Sequence, residues 1–238
     1  VPGQLFSANI TPAGISDYSD GELLRTFTVG VTRDNRALFP FMPYFSYNRL
    51  SQEDAYSIVA YIRSLKPIEN KVGEQKLNFP LNFLVKTMQP RAFNPSPEPD
   101  KSNPVSYGKY LLTIGACADC HTPAEQGAPI PGMELAGGFE FQFPSGVVRS
   151  LNITPDEETG IGIWTKEDFI ARFKAFESEE SRNVSVDMKD FNTPMPWLMY
   201  AGMTEEDLGA IYEYLRTVKP VKHQVEKFSP LEGPEAAQ

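Results

Sequence analysis

Cys117-Ala118-Asp119-Cys120-His121 contains both cysteines and one of the two histidines of this 238-residue chain. Cys-x-x-Cys-His is the attachment signature of a c-type haem. The two thiols bond to the haem vinyl groups, and the adjacent imidazole ligates the iron. The sequence therefore predicts covalent attachment at Cys117 and Cys120, with His121 on the iron.

Other interpretations of this motif fit the chain less well. A structural zinc site needs about four ligands, whereas the whole chain has two cysteines and two histidines. A thioredoxin-like pair is expected at the start of a helix in a βαβ unit, but residues 106–112, just before the motif, themselves favour a helix. A disulfide between the cysteines would leave His121 without a role.

Composition and charge exclude several classes of protein. The chain has 31 acidic and 22 basic residues, a net charge of −9. This charge disfavours nucleic acid and favours docking on a basic partner face. No run approaches the ~20 apolar residues of a membrane span, so we expect membrane association only through partners. Residues 1–3 show no signal peptide. Because haem is attached outside the cytoplasm, we expect a mature periplasmic or otherwise extracytoplasmic chain whose targeting segment has been removed.

An internal repeat relates the two halves of the chain. Residues 42–47, MPYFSY, recur 153 positions later as MPWLMY at 195–200. Both copies precede a helix pattern that begins with a hydroxyl N-cap and acidic residues. Residues 7–12, SANITP, recur 143 positions later as SLNITP at 150–155. The sequence therefore contains two related segments.

The first copy has no attachment motif, because the counterpart of Cys117 projects to about 26 positions before Val1. Two explanations remain open: a fragment of a longer two-haem protein, or a first copy that has lost its haem. We favour the fragment, since the preserved part of the repeat begins abruptly. Four regions are expected: an incomplete first domain at 1–67, a proline-rich linker packed on the surface at 68–104, a complete domain at 105–222 and a loosely held tail at 223–238.

The second axial ligand decides between electron transfer and an open iron site. Met195 is our candidate, because Pro194 and Pro196 hold its loop stiff and non-helical. A methionine there could instead fill a gap in the core. Further residues with ligating side chains follow the motif, and among them His223 is expected to be an exposed side chain; they are Met133, Met188, Met199, Met203 and His223.

Several other residues are expected close to the haem. Asn152 and Thr154 form a short polar stretch that could hydrogen-bond a propionate or the backbone. The aromatic side chains could shield a flat macrocycle, and each could equally be ordinary core; they are Trp164, Trp197, Tyr200, Phe139 and Phe141. For this set we expect proximity to the haem and assign no particular bond.

Three stretches together with the attachment motif resemble a known family: NITPD at 152–156, TGIGIW at 159–164 and Met-Pro-Trp at 195–197. The chain is similar to the cytochrome c subunits that serve membrane-associated dehydrogenases of alcohols, sugars and N-heterocycles, and to similar multi-haem cytochromes. The resemblance covers nearly all of 105–220 and, in truncated form, 1–67.

The resemblance implies a mainly α fold of tandem class I cytochrome c domains, the first truncated at its N-terminus. It implies haem c on Cys117 and Cys120 with His121 and Met195 as axial ligands. Met42 would ligate the iron of a first haem attached upstream of Val1. Electrons would pass from a dehydrogenase or quinol donor to a terminal oxidase or another cytochrome.

An alternative function is a di-haem redox enzyme of the thiosulfate-oxidising or peroxidase-like kind. Such an enzyme needs an open or displaceable iron position, or an unusual ligand such as cysteine. A ligand-binding sensor would likewise need a labile distal site. The chain has no third cysteine, and Met195 lies between prolines. We therefore favour electron relay and expect no catalytic residues.

Overall fold

A computed structural model describes residues 3–125, 127–187 and 190–230. The chain divides into two compact units, Val1–Pro99 and Asp100–Gln238. The described part is mostly helical, as the sequence predicts. None of its helices is long and apolar enough to cross a membrane.

The first unit contains four helices, a 3₁₀ turn and two short strands among its described residues. Its elements are β1 (Gly3–Gln4), α1 (Asp20–Val29), α2 (Tyr44–Tyr47), α3 (Gln52–Ser64), β2 (Lys76–Leu77), α4 (Leu81–Leu84) and the 3₁₀ turn (Val85–Thr87). Side-chain caps explain where the longer helices begin. Ser19 and Glu22 form a capping box on α1, and Ser51 caps α3 by accepting from the backbone N–H of Asp54 at 3.1 Å.

Residues after Pro67 also pack into the first unit. β2 pairs antiparallel with β1, and Val85 is buried, with 3% of its surface exposed. The Asn48 amide donates to the carbonyl of Ala92 at 2.9 Å, and the N–H of Ser96 donates to the carbonyl of Leu50 at 3.2 Å. The segment that the sequence predicts as a linker therefore contributes core and backbone hydrogen bonds to this unit.

The second unit contains six helices and five strands among its described residues. They are α5 (Pro104–Ile114), α6 (Cys117–His121), β3 (Ala124–Glu125), β4 (Ala128–Pro129), β5 (Glu140–Phe143), β6 (Gly146–Arg149), α7 (Lys166–Lys174), α8 (Glu179–Arg182), α9 (Trp197–Tyr200), α10 (Glu205–Leu215) and β7 (Phe228–Pro230). Its core is an apolar cluster of Leu112, Leu135, Ile161, Phe169, Ile211 and Leu215.

Helices α5 and α10 cross at close range. A Cβ atom on Gly108 would lie 1.8 Å from the carbonyl oxygen of Ala210, so this crossing admits only glycine. The Tyr107 hydroxyl donates to Oδ1 of Asp207 at 2.7 Å beside the crossing. Asn103 caps the start of α5 with a 3.1 Å hydrogen bond from the N–H of Ser106.

The segment after Lys222 differs from the loosely held tail that the sequence predicts. Phe228–Pro230 pairs antiparallel with β6 and completes a three-stranded sheet. Arg149 on β6 also donates to Oγ of Ser229 at 2.7 Å. The strand is only three residues long, too short for a periodic pattern. The rest of the predicted tail, residues 231–238, lies outside the described residues.

In the second unit, hydrogen bonds of Asn152 and Thr154 hold the segment after α10 at Val221, an arrangement that we call the clasp. Oδ1 of Asn152 accepts from the N–H and the hydroxyl of Thr154 at 2.9 and 2.8 Å. The Asn152 amide donates to the carbonyl of Val221 at 2.8 Å, and the N–H of Val221 donates back to the Thr154 hydroxyl at 3.1 Å.

The first unit contains the same clasp. Oδ1 of Asn9 accepts from the N–H and the hydroxyl of Thr11 at 3.0 and 2.8 Å. The Asn9 amide donates to the carbonyl of Ile68 at 2.8 Å, and the N–H of Ile68 donates to the Thr11 hydroxyl at 3.1 Å. The sequence repeat is therefore also a repeat of individual hydrogen bonds.

Candidate haem-attachment site

Helix α6 presents the attachment motif on a short turn of its own. Helix α5 ends at Ile114 with Gly115 as its C-cap, and Ala116 adopts a left-handed conformation with φ 55° before α6 begins at Cys117. Cys117 and Cys120 lie three residues apart on α6, a spacing that places both on one face of a helix. The two thiols are free, with Cys120 exposed and Cys117 half-buried against the core cluster.

Neither thiol is activated as a thiolate. Burial raises the pKa of Cys117 to about 12, and the neighbouring Cys120 contributes to this rise. Burial and then the Asp119 carboxylate raise the pKa of Cys120. Cys117 keeps some solvent access, but protein surrounds its sulfur closely enough for burial to dominate. Catalytic and redox thiols have a lowered pKa, so these shifts do not indicate a redox or catalytic pair.

The His121 ring is oriented for a metal. Its Nδ1 lies 2.7 Å from the carbonyl oxygen of Leu151. A carbonyl can only accept, so Nδ1 carries the proton and Nε2 keeps its lone pair. Burial lowers the pKa of His121, although the bond to Leu151 opposes this shift. The ring is therefore a neutral imidazole near pH 7.

Close backbone packing places the Leu151 carbonyl. The N–H of Gly137 donates to the carbonyl of His121 at 2.7 Å. A Cβ on Gly137, whose φ is 74°, would lie 2.4 Å from the carbonyl carbon of Leu151. Gly138 follows in the same left-handed region and donates to the carbonyl of Ser150 at 2.8 Å. The acceptor on Leu151 is a backbone carbonyl, so its role leaves no signal in the sequence.

Asn152 binds the protein rather than an open cavity. Besides its clasp, its amide donates to the Thr159 hydroxyl at 3.0 Å. Both amide hydrogens and both lone pairs of Oδ1 are then occupied. Of the two roles expected for Asn152 and Thr154, the structure therefore shows hydrogen bonds to the backbone, beside Leu151.

Met195 lies on the segment that leads into α9. The carbonyl of Met195 accepts from the N–H of Trp197 at 2.8 Å, and its N–H donates to the Thr193 hydroxyl at 3.2 Å. The Tyr200 hydroxyl donates to the carbonyl of Gly115 at 2.7 Å. Tyr200 thus connects α9 to the residues immediately before Cys117.

Trp197, the first residue of α9, packs in an aromatic cluster with Phe173 and Phe176. Its ring stacks on Phe176 with centroids 5.0 Å apart and tilts against Phe173 at 5.3 Å. The Arg172 guanidinium lies 4.6 Å from its centroid. The buried Nε1 of Trp197 has no hydrogen-bond partner among the described residues, which is uncommon for a buried donor.

The other predicted aromatic residues fall in ordinary packing. Trp164 packs against the core cluster, and its carbonyl accepts from the Tyr212 hydroxyl at 2.7 Å. Phe139 and Phe141 contact each other with centroids 5.0 Å apart. No contact of these rings distinguishes a haem pocket from the core within the described ranges.

The other candidate ligands of the iron differ in how far they are buried. Met203 packs on the core cluster, and Met199 is 75% exposed. Met133 is half-buried, and Met188 lies outside the described residues. The expectation that His223 is exposed is wrong. The side chain is half-buried, and its Nδ1 lies 3.0 Å from the carbonyl oxygen of Ala136. That partner is 87 residues away, so the sequence gives no local sign of it.

The donor set fits a c-type haem. Two free thiols, one of them half-buried, and a neutral imidazole with Nε2 available lie on a single five-residue helix. Residues 105–219 match the cytochrome c family. They form a cytochrome c domain.

Similarity to other proteins extends over both units. The chain is 28% identical over 235 residues to the cytochrome c subunit of alcohol dehydrogenase (quinone) from Gluconacetobacter polyoxogenes, covering 92% of this chain and 49% of that protein. It is 29% identical over 232 residues to the fructose dehydrogenase cytochrome subunit of Gluconobacter japonicus, covering 91% and 45%. The chain spans about half the length of these relatives.

A third relative represents the N-heterocycle dehydrogenases. It is a nicotinate dehydrogenase subunit from Pseudomonas putida, 32% identical over 150 residues, which is 58% of this chain and 12% of that protein. The similarity to cytochrome subunits of alcohol, sugar and N-heterocycle dehydrogenases is thereby confirmed.

Proposed function

We propose that this chain relays electrons through a haem c bonded to Cys117 and Cys120, with His121 and Met195 as axial ligands. The observation that carries the proposal is the hydrogen bond from Nδ1 of His121 to Leu151, which leaves Nε2 for the iron. When bound, the haem supplies a one-electron Fe(III)/Fe(II) couple. The hydrogen bond fixes the ring orientation and raises the basicity of Nε2.

Three observations support Met195 as the distal ligand. Pro194 and Pro196 restrict its backbone. Tyr200 ties the following helix to Gly115, beside the attachment motif. Met203 is engaged in core packing. A methionine ligand that stays bound would keep the iron closed to small molecules, as electron transfer requires.

The first unit supports a second, related domain. It repeats the clasp of the second unit and carries Met42 at the position equivalent to Met195. The N–H of Tyr44 donates to the carbonyl of Met42 at 2.7 Å, as that of Trp197 does to Met195. We therefore propose tandem class I domains at 1–67 and 105–222, with Met42 as the axial ligand of a first haem.

The relatives' names indicate the class of redox partner. The relatives that this chain matches over both units are cytochrome subunits of alcohol and fructose dehydrogenases. A dehydrogenase subunit or quinol is accordingly the proposed donor, and a terminal oxidase or another cytochrome the acceptor. The net charge of −9 favours a basic docking face on a partner. These exchanges would take place in the periplasm or otherwise outside the cytoplasm.

Haem stoichiometry and carbon monoxide binding test the proposal together. Intact mass and the pyridine haemochrome of the 238-residue chain should show one covalent haem, absent from a Cys117→Ser/Cys120→Ser double variant. The reduced holoprotein should bind carbon monoxide poorly at neutral pH. Ready binding by the unaltered chain would overturn the relay function and favour a di-haem enzyme with an open site.

A further inference from the structure

His223, the second histidine of the chain, has no role in the haem ligation proposed above. Its ring Nδ1 lies 3.0 Å from the carbonyl oxygen of Ala136, a residue 87 positions away. A carbonyl oxygen only accepts hydrogen bonds, so Nδ1 carries the proton and donates it. Ala136 is fully buried. The side chain therefore connects the segment after α10 to the interior of the second unit.

The peptide group that His223 contacts also reaches the axial ligand. Ala136 supplies the carbonyl of this group and Gly137 its N–H, which donates to the carbonyl oxygen of His121 at 2.7 Å. Two hydrogen bonds in series thus run from the His223 ring, through one planar peptide group, to the backbone of His121. Bonds in such a series polarise one another, so the donor on the Ala136 oxygen strengthens the bond that Gly137 donates.

Two further contacts fix the place of the His223 ring. The backbone N–H of His223 donates to the Thr159 hydroxyl at 3.0 Å, and the same hydroxyl accepts from the Asn152 amide at 3.0 Å. A Cβ atom on Gly138 would lie 2.8 Å from the ring carbon Cε1 of His223. The residues of the clasp therefore position the backbone of His223, and Gly138 leaves the space that its ring occupies.

The turn that His223 supports also orients the imidazole of His121. Gly137 packs against the backbone of Leu151, where an added Cβ would lie 2.4 Å from the carbonyl carbon. The oxygen of that carbonyl accepts the proton on Nδ1 of His121. The turn at 136–138 therefore acts on His121 twice, directly at its backbone carbonyl and, through Leu151, at its ring.

We propose that His223 is a positioning residue for the axial ligand. Its hydrogen bond to Ala136 holds the 136–138 turn in the geometry that sets the Nδ1–H bond of His121 and, through that bond, the reduction potential of the haem iron. A strong bond at Nδ1 makes the imidazole a more basic ligand, which favours Fe(III). Loss of the His223 bond should loosen the turn and raise the potential. The inference rests on the proposed haem ligation and adds a residue that acts on it from outside the attachment motif.

Two variants separate the hydrogen bond from the packing of the ring. His223→Asn keeps a donor, because its amide nitrogen is as many bonds from the backbone as Nδ1, and asparagine also stands at the equivalent place of the first unit, Asn70. His223→Leu keeps an apolar side chain and has no donor. The potential of each 238-residue holoprotein is measured by spectroelectrochemistry. We expect a raised potential for His223→Leu and the potential of the unaltered chain for His223→Asn.

Hydrogen exchange and paramagnetic NMR report the intervening bonds. In the reduced holoprotein, the Gly137 N–H should exchange about fivefold faster in His223→Leu, because a local hydrogen bond is lost, and at the unaltered rate in His223→Asn. In the oxidised protein, the hyperfine-shifted resonances of the His121 ring should move in His223→Leu alone. If His223→Leu does not retain haem, His223→Ala, which also lacks the donor, replaces it in the comparison.

Two results would overturn the proposal. Equal potentials and unmoved His121 resonances in all three proteins would show that His223 contributes only to stability, whatever the change in melting temperature. Equal shifts of potential in both variants would assign the effect to ring packing and not to the hydrogen bond.

Haem content and the long-wavelength absorption band of the methionine–iron(III) bond are read from the same samples. Variants that keep haem, band and potential refute the role of His223 and leave the proposed electron relay intact. Absence of the band from the unaltered chain would instead refute the proposed ligation.

Discussion

Helices α10 and α3 occupy equivalent places in the repeat, yet only one of them is covered on both sides. Both present a buried stripe to their own core, with Leu208 and Ala55 fully buried. On the outer side, α5 buries Ala210, whereas Ser57 is exposed. The comparison shows that the inner stripe follows from the helix's own sequence, while burial of the outer face depends on a second element.

Removing the asparagine of the clasp should give the largest difference between the two units in the loss of unfolding free energy. Asn152 is buried and makes hydrogen bonds with Thr154, Thr159 and Val221, whereas Asn9 is half-buried and its bond to the Ile68 carbonyl is exposed. Each bond is worth roughly 1 kcal/mol, and buried partners left unpaired cost more. Asn152→Ala should therefore destabilise its unit by about 2–4 kcal/mol, and Asn9→Ala by about 1 kcal/mol or less.

Urea titrations of the holoprotein measure this difference. Haem absorption follows the second unit, and amide hydrogen exchange in α1 and α3 follows the first, because a chain of two units need not unfold in one step. Equal losses in the two variants would show that burial does not set the strength of the clasp.

Substitution of Ala210, where α5 crosses α10, should give the next largest loss of stability. Ala210→Leu inserts volume where α5 already touches the backbone of α10, and overpacking of this kind costs about 1–3 kcal/mol. Ser57→Leu, its matched counterpart, should change the stability of the 238-residue chain by no more than about 0.5 kcal/mol. The same titrations apply, and a Ser57→Leu loss as large as that of Ala210→Leu would mean that the α3 face is already covered in this chain.

The helices and their caps are the part of the fold that sequence predicts best. The hydroxyl N-caps expected after the two repeated Met-Pro stretches are Ser51 and Thr204, which cap α3 and α10, because caps and apolar periodicity are local signals. The attachment motif is local in the same sense. Both kinds of signal need only a few neighbouring residues to be recognised.

The parts that sequence misses depend on distant backbone groups. The partner of His121 is a carbonyl 30 residues away, and any residue at Leu151 would supply it. His223 reaches the carbonyl of Ala136 across the chain. The strands β5, β6 and β7 have four, four and three residues, too few for periodicity to distinguish them from loops.

The smallest predicted effect concerns pH and the α5–α10 pair. Burial opposes ionisation of Asp207, but hydrogen bonds from Tyr107 and Thr204 outweigh it and lower its pKa below the usual 3.8. The folded state thus favours the carboxylate. The resulting stability is present above about pH 4 and is lost as the pH falls through the folded-state pKa.

Tyr107→Phe removes one of these bonds and should cost less than about 1 kcal/mol at pH 7, since Asp207 is half-exposed. Its stability should converge with that of the unaltered chain as the pH falls towards 2. Urea titrations at several pH values check this, with Tyr61→Phe, on the exposed face of α3, as the matched control. A pH-independent cost would exclude a role for Asp207 ionisation.

The central claim is that Met195 ligates the haem iron opposite His121, and a pair of equivalent methionines tests it. The weak long-wavelength absorption band of a methionine–iron(III) bond is recorded for oxidised Met195→Ala and Met42→Ala holoproteins, each with haem only at Cys117 and Cys120. We predict that the band disappears, and that carbon monoxide binds the reduced form readily, in Met195→Ala but not in Met42→Ala. A Met195→Ala protein that keeps the band would contradict the ligation and, with it, the account of this domain as a closed electron relay.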